Sequence, residues 1–205
     1  MVERWTRQQR LERTRALLID AAEEVFARKG FGAASLDDIA AVAGYTRGAI
    51  YVHFTAKEDL FLAVSDRYLR RYFANFTEAL AAVTQLDDAA LDDLADRWRQ
   101  LARNGGARHA ALGHEFSLYL VRNPEARARV ADQRARILES LVEFVSTSAA
   151  ELGLTLTIPV TTFAQLIIAT SDSIMLASEL DDADLYRPVL RMYTSALTSA
   201  GVGAR

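Results

Sequence analysis

Between Ser35 and Lys57 the sequence collects side chains that can donate a hydrogen bond to an anion: the hydroxyls of Ser35, Thr46 and Tyr51, the imidazole of His53 and the ammonium of Lys57. Gly48 lies in the same stretch, where a helical glycine costs roughly 1 kcal/mol relative to alanine. That cost makes sense where another molecule approaches the backbone closely. Lys57 begins a helix, and a cation there opposes the macrodipole by about 0.3 to 1 kcal/mol. A phosphate reverses the sign, because the ammonium and the free N–H groups of the helix end attract it together. Taken singly, Ser35 and Thr55 read as ordinary caps, Tyr51 and His53 as packing residues, and Lys57 as a solvated charge. Their convergence in one short window favours the anion.

Helix signals supply the frame that must position these groups. Thr6 with Gln9 forms a capping box before an apolar stripe through Leu11, Leu18, Ala22, Val25 and Phe26, which Gly30 stops. Ser35 with Asp38 starts a second, short helix ending near Gly44. Thr46 caps a third, equally short one, with Ala49, Ile50 and Phe54 facing inward. Thr55 with Glu58 caps a fourth, through Leu60, Phe61, Val64, Tyr68, Tyr72 and Phe76. Two short helices around a glycine turn have the length signature of a helix-turn-helix. Further helices are expected from Asp87 or Asp88 to Asn104, from 107 to 122, from 123 to 153, from 159 to 180, and from about 185 to 200. Strand signals are nearly absent, so the fold class is all-α with about nine helices. The expected division is residues 1–56 for the three-helix helix-turn-helix domain and 57–205 for a second helical domain.

The totals leave the partner open: 205 residues, net charge -3 and 51% hydrophobic residues describe a chain with ample core and no basic excess. There is no cysteine, which removes disulfides and thiolate chemistry and fits a reducing cytoplasm. Residues 1–60 hold nine basic and nine acidic side chains, but five of those arginines fall in the first fifteen positions against two glutamates. Arg4, Arg7, Arg10 and Arg13 recur every third residue and are candidates either for DNA contact or for a solvated terminus. The charged N-terminus does not read as an export signal. The most apolar stretch, Pro159 to Leu180, carries Asp172 near its middle and reads as a buried helix rather than a membrane span, so no membrane partner is expected.

In order and with unbroken spacing, "AAEEVFARKGF", "SLDDIAAVAG", "TRGAIYVHF" and "KEDLF" fall within the stretch from about Thr14 to Leu62. This stretch resembles the N-terminal domain of the tetracycline-repressor (TetR/AcrR) family. The resemblance implies a recognition helix from Thr46 to His53 in the DNA major groove. It implies phosphate contacts by Ser35, Thr46, Tyr51, His53 and Lys57, and base-edge contacts by Arg47 with Gly48 and Tyr45. It also implies a homodimer on a two-fold operator in double-stranded DNA, a small-molecule effector of unknown identity, and release of a repressor when that effector binds. No cofactor is implied. Tyr45 stands where the family often has a small or aliphatic residue.

"EFSLYLVRNPEAR", residues 115 to 127, is similar to a stretch common in one large branch of the family. Trp98, His114, Phe116, Tyr119, Phe163, Thr170, Asp172 and Met175 combine aromatic or soft apolar surface with isolated polar atoms and are the candidate effector-binding residues. The helix from Pro159, with the last helix, has the apolar surface for half of a four-helix bundle with a symmetry mate, and the fourth helix is the natural lever between effector and DNA. His109 and His114 have no partner at metal-ligand spacing. Two other classes compete: an interaction module that does not bind DNA, and an enzyme built on His114, Glu115 and Asp172, which no nucleophile motif, phosphate loop or metal spacing supports. Phosphate contacts carry salt-dependent affinity, and base contacts carry discrimination. Lys57→Ala is therefore expected to weaken binding to every sequence and lower the salt slope by about one unit. Arg47→Ala is expected to relax preference at one position per half-site. Titrations across salt and across operator variants separate the two.

Overall fold

The computed structural model describes residues 6–81, 83 and 87–199. Helix α1 (Arg7–Ala33) begins at the Thr6–Gln9 capping box, α2 (Leu36–Ala43) at a reciprocal Ser35–Asp38 box, and α3 (Arg47–Tyr51) at Thr46. Gly44 closes α2 in the left-handed conformation at φ 70, a position that favours glycine over any residue with a Cβ. Gly30, at φ 74, interrupts α1 where the sequence stripe stops. Arg4 lies outside the described residues.

The chain divides into two compact units. The first takes residues 1–68 and 112–131, so the helix-turn-helix unit extends past the expected boundary at 56. The physical reason is aromatic burial. Phe31 sits 5.2 Å from Phe61 of α4 (Lys57–Ala81), and 4.9 and 5.0 Å from Phe116 and Tyr119 of α6 (Ala107–Arg122), centroid to centroid. Leu18, Val25, Phe26, Ile39, Ile50 and Leu60 complete the buried interior. Each large apolar side chain so buried contributes roughly 1.5 to 3 kcal/mol, enough to join distant segments into one core.

The second unit takes residues 69–111 and 132–205. Asp87 caps α5 (Asp88–Leu101). As expected, helical geometry is lost at Asn104 and Gly105, the latter at φ 100, within a wide turn (Ala102–Gly106) that leads into α6. The long helix expected from 123 to 153 is broken into α7 (Pro124–Arg129) and α8 (Ala131–Glu151). The break is at Val130, which leaves helical geometry at φ -97, ψ 2 while its side chain is 1% exposed. Helix α9 (Val160–Asp181) follows, and α10 (Tyr186–Thr194) stops short of the expected 200. The residues after it form β2 (Leu197–Ser199), which pairs antiparallel with β1 (Leu154–Leu156), Thr155 opposite Thr198. Their hydroxyls lie 3.0 Å apart, a cross-strand contact that sequence periodicity does not announce.

Trp98 and Tyr186 are buried 5.5 Å apart at the centre of the second unit, with Leu94, Ile174 and Met175 around them. Outside them Arg187 and Arg191 of α10 pair with Asp88 and Asp92 of α5. Helix α9 is long and apolar enough to cross a membrane by length and composition, but only 22% of its apolar window is buried. It is therefore not the interior helix expected from its sequence, and Leu166 and Ile168 are 45% and 44% exposed. The Phe76 side chain lies outside the described residues.

Part of His109 reaches solvent, yet its surroundings desolvate the imidazole and push its pKa down to about 4. Below pH 6.5 the unfolded chain therefore takes up a proton that the folded chain resists. Stability present above pH 6.5 is lost as pH falls toward 4. Urea midpoints measured at pH 7 and pH 5 should drop less for His109→Gln than for the parent protein.

Candidate nucleic-acid interface and ligand cavity

Helix α3 is five residues long, too short to hold its own geometry, so its orientation comes from neighbours. Ile50 and Phe54 anchor its inner face, at 0% and 5% exposure. The Thr46 hydroxyl accepts the Ala49 N–H at 3.3 Å, and the Tyr45 N–H reaches the Ala40 carbonyl at 2.9 Å, fixing the turn between α2 and α3. Tyr45 and Thr14 bring their hydroxyls to 3.4 Å. Arg47 bridges the two helices through Asp37 at 3.1 Å and donates to the Tyr51 hydroxyl at 3.2 Å. Tyr51 and then Asp37 hold that guanidinium further into its charged range.

On the outer side Tyr45, Thr46, Arg47, Gly48 and Tyr51 are all exposed, and His53 is half-buried just beyond the helix. Thr46 and Tyr51 use their oxygens as acceptors in these contacts, which leaves their O–H protons available to an anion. A Cβ added at Gly48 would meet only the Thr46 Oγ1, at 3.7 Å. Nothing inside the protein requires glycine there.

Two expected phosphate contacts are otherwise engaged. Ser35 donates to the Asp38 carboxylate at 2.7 Å while accepting the Asp38 N–H at 3.1 Å, so its proton is committed to the cap of α2. Lys29, with Ser35, holds the Asp38 carboxyl down to about 2. Lys57 turns away from the start of its own helix. Its ammonium donates to the carbonyls of Phe31 at 2.7 Å, Ala34 at 2.8 Å and Gly32 at 3.4 Å, and lies 4.4 Å from the Phe31 ring centroid. The last turn of α1 has no basic residue of its own, and Lys57 supplies the cation that its carbonyl end attracts. Burial draws the Lys57 pKa below the usual lysine range, and the neighbouring Glu58 carboxylate opposes that loss of charge. In this structure the ammonium of a helix-start lysine is thus engaged by another helix's carbonyl end.

A second clasp was not foreseen from the residues. Glu115 of α6 accepts the Phe31 N–H at 2.8 Å, and its carboxylate lies where a Gly30 Cβ would be, 2.6 Å away. Glu58, expected to cap α4, is instead the one charged side chain buried among the described residues, at 6% exposure. Tyr119 donates to it at 2.6 Å and Arg129 at 3.1 Å. Thr55 is held by Asp59 instead, from its N–H at 3.1 Å and from its hydroxyl. The available sequence signal was only that a carboxylate sits among apolar neighbours; partners 61 and 71 residues away are a tertiary matter.

The effector candidates separate. His114 is exposed, and Phe116 and Tyr119 belong to the aromatic interior of the first unit. They do not line the cavity because α6 passes to the first unit at Leu112. In the second unit a cavity of about 160 Å³ is lined by Trp98 and Phe163, with Tyr72, Phe73, Phe144 and Tyr193. Thr170 binds the Tyr193 hydroxyl from behind this lining, and Met175 is core. Asp172 is half-buried and outside the lining. Among the described residues no group of three or more His, Asp or Glu is placed to hold a metal.

Residues 18–64 match the family of bacterial regulatory proteins, tetR family. The HTH-type transcriptional regulator TtgR of Pseudomonas putida is 49% identical over 55 residues, 27% of this chain and 26% of that one. The HTH-type transcriptional activator FasR of Mycolicibacterium smegmatis is 41% identical over 81 residues, 40% of this chain and 36% of that one. Over this N-terminal segment the chain is similar to the TetR family. Its sequence match spans about a quarter of the length of the first relatives. The TetR fold itself extends over nearly the whole chain. A putative TetR-family regulator from Rhodococcus sp. superposes with TM-score 0.68 at 17% identity, covering 91% of this chain and 100% of that one. The fatty acid degradation regulator FadR from Bacillus halodurans superposes with TM-score 0.60 at 22% identity, covering 99% and 100%.

Lys57→Met should lower the melting temperature without any DNA present, by the equivalent of about 1 to 2 kcal/mol. A lysine serving only as a phosphate contact would leave the DNA-free melting curve unchanged.

Proposed function

We propose that the protein is a cytoplasmic, homodimeric transcriptional regulator, not an enzyme, and that it represses from a two-fold operator and is released by a small-molecule effector. The observation that carries this reading is Gly48. It sits on the exposed face of α3, where its helix cost of roughly 1 kcal/mol returns nothing to the fold, since beyond its chain neighbours and its own helix backbone only Thr46 Oγ1 lies within 4 Å of the missing Cβ. Close approach of a DNA backbone or base edge gives that cost a purpose.

Thr46, Tyr51 and His53 then meet phosphates, and Arg47 exchanges Asp37 for a base edge with Tyr45 beside it. Ser35 and Lys57 act behind them by fixing the helices that carry the contacts. Any loss of DNA affinity on Lys57→Ala then comes from a displaced helix start more than from a missing phosphate contact. The exposed apolar face of α9 supplies the surface for a second copy, and a dimer matches half-sites separated by about one helical turn or a multiple. Repression follows the family's commoner mode.

The apolar cavity of the second unit is the effector site on this reading. An effector that prefers one conformation of the dimer lowers operator affinity by its preference ratio, a coupling of about 1 to 3 kcal/mol. Helix α4, continuous from Lys57 to Ala81 and contributing residues to both units, is the lever.

Fluorescence anisotropy with duplex from the protein's own promoter region, across a salt series, tests the reading; no specific, salt-sensitive binding overturns it. Gly48→Ala should raise stability by up to about 1 kcal/mol while weakening operator binding. Leu166→Glu should convert the dimer to monomer in sedimentation and reduce operator binding with it.

A further inference from the structure

The cavity in the second unit has a lining whose chemistry restricts what it can hold. None of its lining residues carries a charged side chain. Its walls are aromatic and aliphatic: Phe73 and Phe144 stack at 5.0 Å with 13° between their planes, and Phe163 meets Tyr193 edge-on at 5.7 Å. Three of the hydroxyls at or near it are already employed. Thr170 gives its proton to the Leu166 carbonyl at 2.7 Å, so the Tyr193 hydroxyl must be the donor in their mutual hydrogen bond. Burial also raises the Tyr193 pKa, which keeps the phenol neutral. Thr194 donates to the Arg191 carbonyl at 3.1 Å.

Nearby cations are also spoken for. Arg187 and Arg191 pair with Asp88 and Asp92, and Arg99 with Asp96 and Asp184. A carboxylate entering the cavity would lose its hydration and meet no free guanidinium, and an ammonium would meet no carboxylate in the lining. The volume of about 160 Å³ suits a single ring with short substituents, since apolar cavities of about 150 Å³ stay dry and accept benzene.

Resting on the reading of this cavity as the effector site, we infer that the effector is a small, uncharged, predominantly aromatic molecule, and that organic anions and cations of the same size are excluded. The aromatic walls supply offset and edge-on ring contacts, and the apolar lining gains from burying hydrocarbon.

Isothermal calorimetry and ligand-observed NMR on the full chain with toluene, benzoate and benzylammonium decide the matter, because the three share a ring and differ in charge. Toluene should bind at least roughly 100-fold more tightly than either ion. Ala149 lines the cavity, so Ala149→Phe should abolish toluene binding by filling the space. Ala149→Leu, a smaller intrusion, serves if circular dichroism shows the first variant unfolded, and should weaken binding at least tenfold. Benzoate or benzylammonium binding as tightly as toluene overturns the inferred effector class and leaves the effector-site reading standing. No binding of any of the three overturns both. Toluene binding unaffected by both folded variants places the ligand elsewhere and also overturns the inference.

Discussion

The first unit depends on how the C-terminal end of α1 is held. A helix end exposes carbonyls without partners and carries partial negative charge. Here the Lys57 ammonium sits among the Phe31, Gly32 and Ala34 carbonyls, while Glu115 takes the Phe31 N–H and occupies the space that glycine at position 30 leaves open. One cation and one anion thus arrive at the same turn from two other helices. They fix the Phe31 ring, around which Phe26, Phe61, Phe116 and Tyr119 are arranged. A single helix end thereby links α1, α4 and α6.

So short a helix as α3 presents a defined surface for reasons of its own neighbourhood. Five residues have almost no helical stability of their own. Position is imposed by buried Ile50 and Phe54 beneath, by the Gly44 turn before it, and by the Arg47–Asp37 bridge beside it. The outer face is left with little internal role. Thr46 and Tyr51 keep donor capacity, and Gly48 keeps the backbone accessible. Rigidity on one side and chemical availability on the other are complementary consequences of the same packing.

The second unit solves a different problem with the same forces. Charges are concentrated along the contact between α5 and α10, where Asp88 and Asp92 face Arg187 and Arg191, while the cavity lining is uncharged. Exposed pairs of this kind contribute little stability. Helix α9 carries apolar surface on both the cavity side, at Phe163 and Ile167, and the exposed side, at Leu166 and Ile168.

The all-α class, the two short helices with their Ser35 and Thr46 caps, the Gly44 turn and the inward places of Ile50 and Phe54 were legible in the sequence. Each depends on residues within a few positions of one another, where periodicity and capping chemistry act. The same local logic misplaced Lys57, because a side chain of that length can leave its own helix end for another's carbonyls. It also assigned Glu58 a cap and missed the break at Val130 and the β1–β2 pairing. These were decided by contacts across dozens of residues, where low dielectric and ring packing outweigh local preference. The sequence by itself determined which elements form and which surface of α3 is polar; only tertiary structure decided which polar groups remain free to meet a partner, since a hydrogen-bond donor already satisfied inside the fold has no proton left to offer.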